Sequence, residues 1–476
     1  MKRSNGLGFH LALLVLIGGA AVVSSGTAAS GAEPAAVWTE LAPTGTAPAP
    51  DTTPVLAGYD PASNRAVVIT HHGRGNPDQA WVIVGANGTA GAPAWEQLAV
   101  GGTPPVATGS ESATYDPTSN RLIVYGGCTW SCSPAREGVF VLTNANGLGG
   151  SPAWSELAVT DPQPRDSHSA VYSRASDSLV AFGGDLAFPG TNKNDTRTLS
   201  NASGAVGPAT WTSLEPAGGP PSIRSYHTAT YDAAGDRMTV FGGQEFIRCC
   251  APDYIIEARD DTWVLSDASG ANGPPSWTQL QTATAPSPRA YHSAVYDDAT
   301  RQMFVYGGYD FRESDQQAIV NDELWVLDNA NGQGGEPAWT PVRQSGAAPG
   351  ARYGQSAAWD AGHRRMMMLG GSTASGSPTN QLFVADMPVS GTGQQTTSVT
   401  VTAAPGVLTV TLPQASVAFG QLVSGSTSPA VGVGDVLYVN TLGTGNPWGA
   451  TVASTSLSSG PAVIPFTRLA FAPGPA

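Results

Sequence analysis

One motif returns along this chain: Arg-x-Tyr-His-[Ser/Thr]-Ala-x-Tyr-Asp, a turn, a short apolar run and a Gly-Gly pair. A variable loop follows, then [Glu/Asp]-x-Trp-Val-Leu, then Asn-Ala-Asn-Gly-x-Gly-Gly-x-Pro-x-Trp. The clearest copy runs through Arg289–Asp297, Met303–Gly308, Glu323–Asp328 and Trp339–Val342. Glycine pairs stand at 126/127, 183/184, 242/243, 307/308 and 370/371, spaced by 57, 59, 65 and 63 residues. Within that copy HSAVYD, QMFVYGG, ELWVL and AWTPV are four short β-compatible runs separated by turn chemistry. Such a unit reads as a four-stranded antiparallel sheet, which buries both faces only by stacking on neighbours. A closed ring of units also protects the sheet edges.

The repeat resembles the Kelch family, whose hallmarks are a Gly-Gly pair closing the second strand and aromatic residues in later strands. The matching residues are Gly126/Gly127 with Phe140 and Trp154, Gly183/Gly184 with Trp211, and Gly242/Gly243 with Trp263 and Trp277. Gly307/Gly308 with Trp325 and Trp339, and Gly370/Gly371 with Phe383, continue the series. A first, degenerate unit has Tyr59-Asp60, then His-His-Gly at 71–73 in place of Gly-Gly, then Trp81 and Trp95.

A count fixes the number of units. Outer-strand tryptophans occur at 38, 95, 154, 211, 277 and 339, and inner strands start near 55, 112, 169, 228, 293 and 356. The sixth inner strand has no tryptophan strand after it, and Trp38 has no inner strand before it. Joining the two predicts an all-β, six-bladed β-propeller over residues 33–387, closed by an N-terminal strand at 37–41. Seven blades would need a unit the sequence lacks.

Residues 1–32 read as a secretory signal. Lys2 and Arg3 precede an apolar run from Leu11 to Val23, and small residues offer cleavage after Ala29 or Ala32. The run is 13 residues long, whereas roughly 20 are needed to cross a bilayer as a helix. The mature chain is therefore expected to be secreted or associated with the cell surface, with no integral membrane segment after cleavage. In that setting a disulfide within the loop 128–132 is the first choice, joining Cys128 to Cys132. The adjacent Cys249 and Cys250 bridge each other, stay reduced or join the first pair; spacing does not decide among these.

The 58 glycines and 38 prolines demand many turns. Lys2 and Lys193 are the only lysines, and a net charge of −14 leaves no basic stripe for nucleic acid. Residues 388–397 are turn-rich and mark a linker. Beyond them, 398–476 alternate at period two in Ser-Val-Thr-Val-Thr and Val-Leu-Thr-Val-Thr-Leu and read as a small β-sandwich. Val410, Phe419, Gly420 and Trp448 give this region a resemblance to cell-wall-binding or immunoglobulin-like modules of secreted bacterial proteins.

In a four-stranded blade the loop between strands 2 and 3 and the connection to the next blade emerge on one face. The repeat therefore sets Arg165, His168, Arg224, Arg289, Arg352 and Tyr353 near the central opening as candidate ligand-binding residues. Arginine forks there would grip a carboxylated or sulfated ligand, while in-register repetition equally suits a structural role. Extracellular glycan or protein recognition is the leading expectation. The alternative is a carbohydrate-active enzyme, with Tyr291, His292, Tyr226 and His227 as acid–base candidates for β-elimination on a polysaccharide. A copper oxidase like galactose oxidase is the weaker enzymatic form. No cofactor is expected; calcium is the ion that the loop acids Asp253, Glu257, Asp260, Asp310 and Asp315 would admit. The Asn-Ala-Asn-Gly-x-Gly-Gly segments read as ordinary hairpin turns.

Overall fold

The computed structural model describes residues 10–17, 20–27, 35–49, 53–71, 77–106, 109–128, 138–159, 163–186, 192–250, 253–312 and 317–388, with strand segments in 400–470. Ala35–Met387 form one compact unit. Its strands make six blades of four antiparallel strands, two of which carry a short fifth strand in parallel, Gly101–Gly102 and Gln344–Gly346. Blade 5 is representative: Ser293–Asp297, Gln302–Tyr306, Leu324–Asp328 and Ala338–Val342 pair in that order.

The second strand of every blade is apolar on both faces, because each face meets a neighbouring blade. Gln302–Tyr306 and Ser178–Phe182 are buried at every position. The buried side chains accordingly fall into six clusters, one between each adjacent pair of blades. Six interfaces for six blades is a closed ring, and the cluster of Leu56, Trp81, Met367 and Leu382 joins the first blade to the last.

Closure runs through the N-terminal segment. Ala36–Leu41 is the outer strand of blade 6, antiparallel to Leu382–Asp386, with Trp38 opposite Ala385. Trp38 is 2% exposed. Its ring lies edge-on to Tyr306 at 5.2 Å, and its Nε1 donates to Gln344 Oε1 at 2.8 Å. The last blade is thus assembled from both ends of the propeller, as the tryptophan count predicts.

On the face that carries the loops between strands 2 and 3, two of those loops fold as hairpins. Gln244–Cys250 pairs with Asp253–Ala258, and Tyr309–Arg312 pairs with Gln317–Val320. A second unit combines Met1–Pro34 with Pro388–Ala476. Its described backbone is all β: His10–Ile17 pairs with Ala20–Thr27, and Thr400–Ala404, Val407–Leu412 and Ala415–Gln421 form a three-stranded sheet. Lys2, Arg3, Trp448 and most of the expected linker lie outside the described residues.

Replacing Trp38 by Ala removes a buried indole from the strand that closes the ring, so Trp38→Ala should lower the unfolding free energy by about 3–5 kcal/mol. A falling urea midpoint at unchanged slope would show this.

Candidate functional site

In blades 3 to 6 the loop-face end is held by a repeated latch. An arginine ahead of strand 1 sends Nη1 to the carbonyl of the first glycine of the pair 18 residues later: Arg165 to Gly183 at 3.0 Å, Arg224 to Gly242 at 3.0 Å, Arg289 to Gly307 at 3.1 Å and Arg352 to Gly370 at 3.1 Å. The same arginine's carbonyl accepts from the second glycine of the preceding blade, as in Gly243 N to Arg289 O at 2.9 Å and Gly308 N to Arg352 O at 2.8 Å. One residue thus clips two blades. In three of the four its charge is met by the acid that opens strand 3: Asp195 and Asp261 each take two bonds from Arg165 and Arg224, and Glu323 takes one from Arg289 at 2.8 Å, while Arg352 donates instead to Pro349 O and to Gln381 Oε1 at 3.4 Å. Burial opposes ionisation of Asp261 and Glu323, but their arginine bonds hold both carboxyls below the usual range.

This geometry explains the glycines. Gly242 has φ +65°, and a Cβ there would stand 2.7 Å from Arg289 O and 2.9 Å from His292 Cε1. A Cβ on Gly243 would stand 2.7 Å from His227 Cβ. Only a residue without a side chain lets the next blade's arginine and histidine approach.

The repeated histidines complete the interface. His227 Nε2 lies 2.7 Å from Ser169 Oγ of the preceding blade, His292 Nε2 lies 2.7 Å from Thr228 Oγ1, and His168 Nε2 lies 2.9 Å from Ser112 Oγ. Burial, aided by the adjacent arginine, depresses all three; His227 falls to about 3. They are neutral, buried hydrogen-bonding groups. The degenerate first blade solves the same interface differently. There His71 lies between Asp78, at 3.0 Å from Nδ1, and Glu111 of blade 2 at Nε2. Burial disfavours the imidazolium, yet the two carboxylates outweigh it and raise His71 to about 10.

Inside the ring of latches lies the mouth. Residues two positions after the latch arginine adopt left-handed backbone: Ser167 (φ 54°), Tyr226 (55°), Tyr291 (56°) and Gly354 (66°). Their peptides bond in series, Tyr226 N to Ser167 O at 2.9 Å, Tyr291 N to Tyr226 O at 3.0 Å and Gly354 N to Tyr291 O at 2.8 Å. This conformation is unusual for a bulky aromatic residue and points to a constraint beyond local preference. It brings Tyr226 and Tyr291 into a stack at 3.9 Å. Tyr309 stacks on Tyr291 at 5.1 Å, and Tyr353 meets Tyr309 edge-on at 5.2 Å. All four tyrosines are half-buried, and they occupy blades 4 to 6 only. Burial, reinforced by the neighbouring phenols, holds Tyr291 far above the usual tyrosine range.

Blade 3 gives the mouth a different character. Asp166 and Asp185, 1% and 0% exposed, pair through their backbones. Ser167 donates to Asp166 at 2.7 Å, and Asn192 donates to Asp185 at 2.6 Å. Burial raises Asp166 to about 6 despite the Ser167 bond. Burial and then the Asp166 charge raise Asp185 to about 7.

The arginines expected to grip an anion are therefore spent: all four are at most 2% exposed and bonded within the latches. His168, His227 and His292 are likewise absorbed by blade interfaces, which removes His227 and His292 as accessible bases. Tyr226, Tyr291 and Tyr353 are the sequence candidates that the structure brings together. Among the described residues no three His, Cys, Asp or Glu side chains converge to hold a metal ion. Of the calcium candidates, Glu257 pairs with Arg259 at 3.3 Å, Asp260 is exposed and Asp310 is buried. The side chains of Asp253 and Asp315 lie outside the described residues, as do those of Cys132, Cys249 and Cys250; Cys128 is buried.

Tyr309, Asp166 and Asp185 were not sequence candidates. A signal existed for the acids: Asp166 stands where the other copies carry Ser225, Ala290 and Tyr353.

Six four-stranded blades, stapled by arginine and a glycine pair and closed by an N-terminal strand, define a Kelch-type β-propeller. The family profile described as the KLHDC2/KLHL20/DRC7 Kelch-repeats domain matches residues 274–425. This match and the relatives below support a Kelch-repeat β-propeller family for the chain. It is similar to Adagio-like protein 1 of Oryza sativa subsp. japonica, at 28% identity over 310 residues, 63% of this chain and 44% of that protein. It is similar also to the Rab9 effector protein with kelch motifs of Danio rerio, at 27% identity over 192 residues, 40% of this chain and 48% of that one. The chain thus spans about half the length of these relatives. Among solved structures, YjhT superposes with a TM-score of 0.49 at 13% identity, covering 78% of this chain and 97% of its own.

The acid pair sets a pH dependence. Asp185 binds its proton more tightly folded than unfolded, so its contribution to stability is present below about pH 4 and is lost as pH rises through about 7. Asp185→Asn should flatten the stability profile over that interval and exceed the native protein by about 1–2 kcal/mol at pH 8. Urea unfolding at stepped pH values checks it.

Proposed function

We propose that this protein is an exported binding protein, secreted or held at the cell surface, that recognises a protein partner through the tyrosine-lined mouth of its loop face. The observation that carries this reading is the division of labour among the repeated residues. Arginine is consumed in all four latches and histidine in three of them, whereas Tyr226, Tyr291, Tyr309 and Tyr353 form one half-buried cluster on half of the ring. Tyrosines with an apolar body and a polar tip are the side chains that dominate protein interfaces. The hairpins beginning at Gln244 and Tyr309 widen the surface beside them. Residues 1–32 support export, and export in turn supports a Cys128–Cys132 disulfide.

A glycan ligand is the second reading, favoured by aromatic rings on which sugars stack. It is narrowed to neutral sugars. No latch arginine is free for a uronate or sulfate. His292 is poorly placed as the base for elimination on a polysaccharide, being 4% exposed with Nε2 at 2.7 Å from Thr228 Oγ1.

The test is a binding screen of the purified protein against extracellular protein fractions and a glycan array, followed by the Tyr226→Ala/Tyr309→Ala variant. The variant should weaken the identified contact at least tenfold, on the order of 2 kcal/mol, with its melting temperature close to native. Undiminished binding would place recognition elsewhere on the ring.

A further inference from the structure

The face opposite the mouth carries a second set of latches, made at four of the six interfaces and absent between blades 3 and 4 and between blades 5 and 6, where Gln302 holds the arginine register. In four interfaces an arginine at the start of strand 2 donates to the carbonyl of the third residue of the next blade's Asn-Ala-Asn-Gly-type turn. Arg65 reaches Asn146 O at 3.1 Å, Arg121 reaches Ser203 O at 2.9 Å, Arg237 reaches Asn331 O at 3.3 Å, and Arg365 reaches Asn87 O. In three of these, the aspartate that ends strand 1 receives the turn's asparagine: Asp60 from Asn146 at 2.8 Å, Asp232 from Asn331 at 2.7 Å and Asp360 from Asn87 at 2.8 Å. The segments called simple hairpin turns in the sequence are therefore interface parts.

Between blades 3 and 4 both latch residues are replaced. Ser173 stands at the aspartate position and Ser178 at the arginine position, in the register that Arg121 and Arg237 occupy in their blades. The facing turn is Asp267-Ala-Ser269-Gly, with a serine at the third position and a carboxylate at the first, where other copies carry Asn144, Asn201 and Asn329. A cavity of about 340 Å³ results, lined by Ser173, Ser176, Tyr231, Asp236, Asp267 and Ser269 among others, with no lysine or arginine in its wall. Asp236 is 6% exposed and is held by Tyr231 Oη at 2.8 Å, by Ser269 N at 3.0 Å and Oγ at 2.6 Å, and by Asn272 Nδ2 at 3.0 Å. All four donors are neutral. Ser176 Oγ is buried without a hydrogen-bond partner.

We propose that this cavity is a binding site for a guanidinium group supplied from outside the chain. The four sibling interfaces show what the turn carbonyl takes, which is an arginine fork. Here the fork is absent, the space for it remains, and Asp236 and Asp267 line that space with no cation in its wall. A planar guanidinium donates to a carbonyl and a carboxylate at once, which an ammonium does with poorer geometry.

The probe is agmatine, with 1,4-diaminobutane as a dication lacking the guanidinium, followed by calorimetry and thermal melts of the full chain. Agmatine should bind saturably and raise the melting temperature, because a ligand that binds only the native state stabilises it. Diaminobutane should bind roughly tenfold more weakly. Ser178→Arg, which restores the fork in cis, should abolish the agmatine response, and Asp267→Asn should weaken it. Equal responses to the two dications, or an undiminished response in Ser178→Arg, would overturn the proposal. If that variant does not fold, an unchanged response in Asp267→Asn overturns it alone. A capped Gly-Arg-Gly peptide that binds as well as agmatine assigns the site to a partner's arginine side chain; agmatine binding without the peptide assigns it to a small guanidinium compound.

Discussion

The buried arginine that spans two blades is the interaction on which this propeller depends. A guanidinium in a nearly dry interface is costly unless every direction of its fork is met. Here the fork meets a glycine carbonyl and an acid of its own blade, while its backbone carbonyl takes the glycine N–H of the blade before. The glycine pair follows from the arginine, since any Cβ at Gly242 would collide with Arg289 O and His292. The histidine follows in turn, filling the remaining space and tying itself to a hydroxyl across the interface. Arginine, glycine pair and histidine are one device, which is why they recur together.

Because the latches absorb the cations, what is left to face a ligand is chosen by the variable positions between them. Tyrosine fills those positions in blades 4 to 6, whereas blade 3 has a buried pair of aspartates beside them. The mouth is therefore aromatic on the side of blades 4 to 6, on a scaffold whose framework is close to sixfold. Recognition rests on departures from the repeat. The same logic governs the opposite face, where the departure is a missing arginine and the product is a cavity.

Much of the fold was legible because the ring has a period. Glycine pairs, tryptophans and inner-strand starts could be counted, and the unmatched Trp38 and final inner strand had to join. The loop face could be assigned for the same reason. The constant interval of 18 residues from each arginine to its glycine, across loops of different length, was also in the sequence and marks the pair as a contact. What a residue faces was not legible. Arginine suits an anionic ligand and a carbonyl latch equally well by type, and only burial separates them. The His71–Glu111 pairing was hidden because the first blade exchanges glycine for histidine and its neighbour exchanges histidine for glutamate. The Asn-Ala-Asn-Gly segments have turn composition because they are turns, and their role across the interface shows only when the next blade is in place.

The most direct test of this account is the unfolding of Arg224→Met, which keeps much of the side-chain volume and removes the fork. If the arginines hold the blades together, the variant loses about 2–4 kcal/mol of unfolding free energy and keeps its ligand affinity at temperatures where it remains folded. A variant as stable as the native protein but deficient in binding would contradict the account, and would return the arginines to the ligand site.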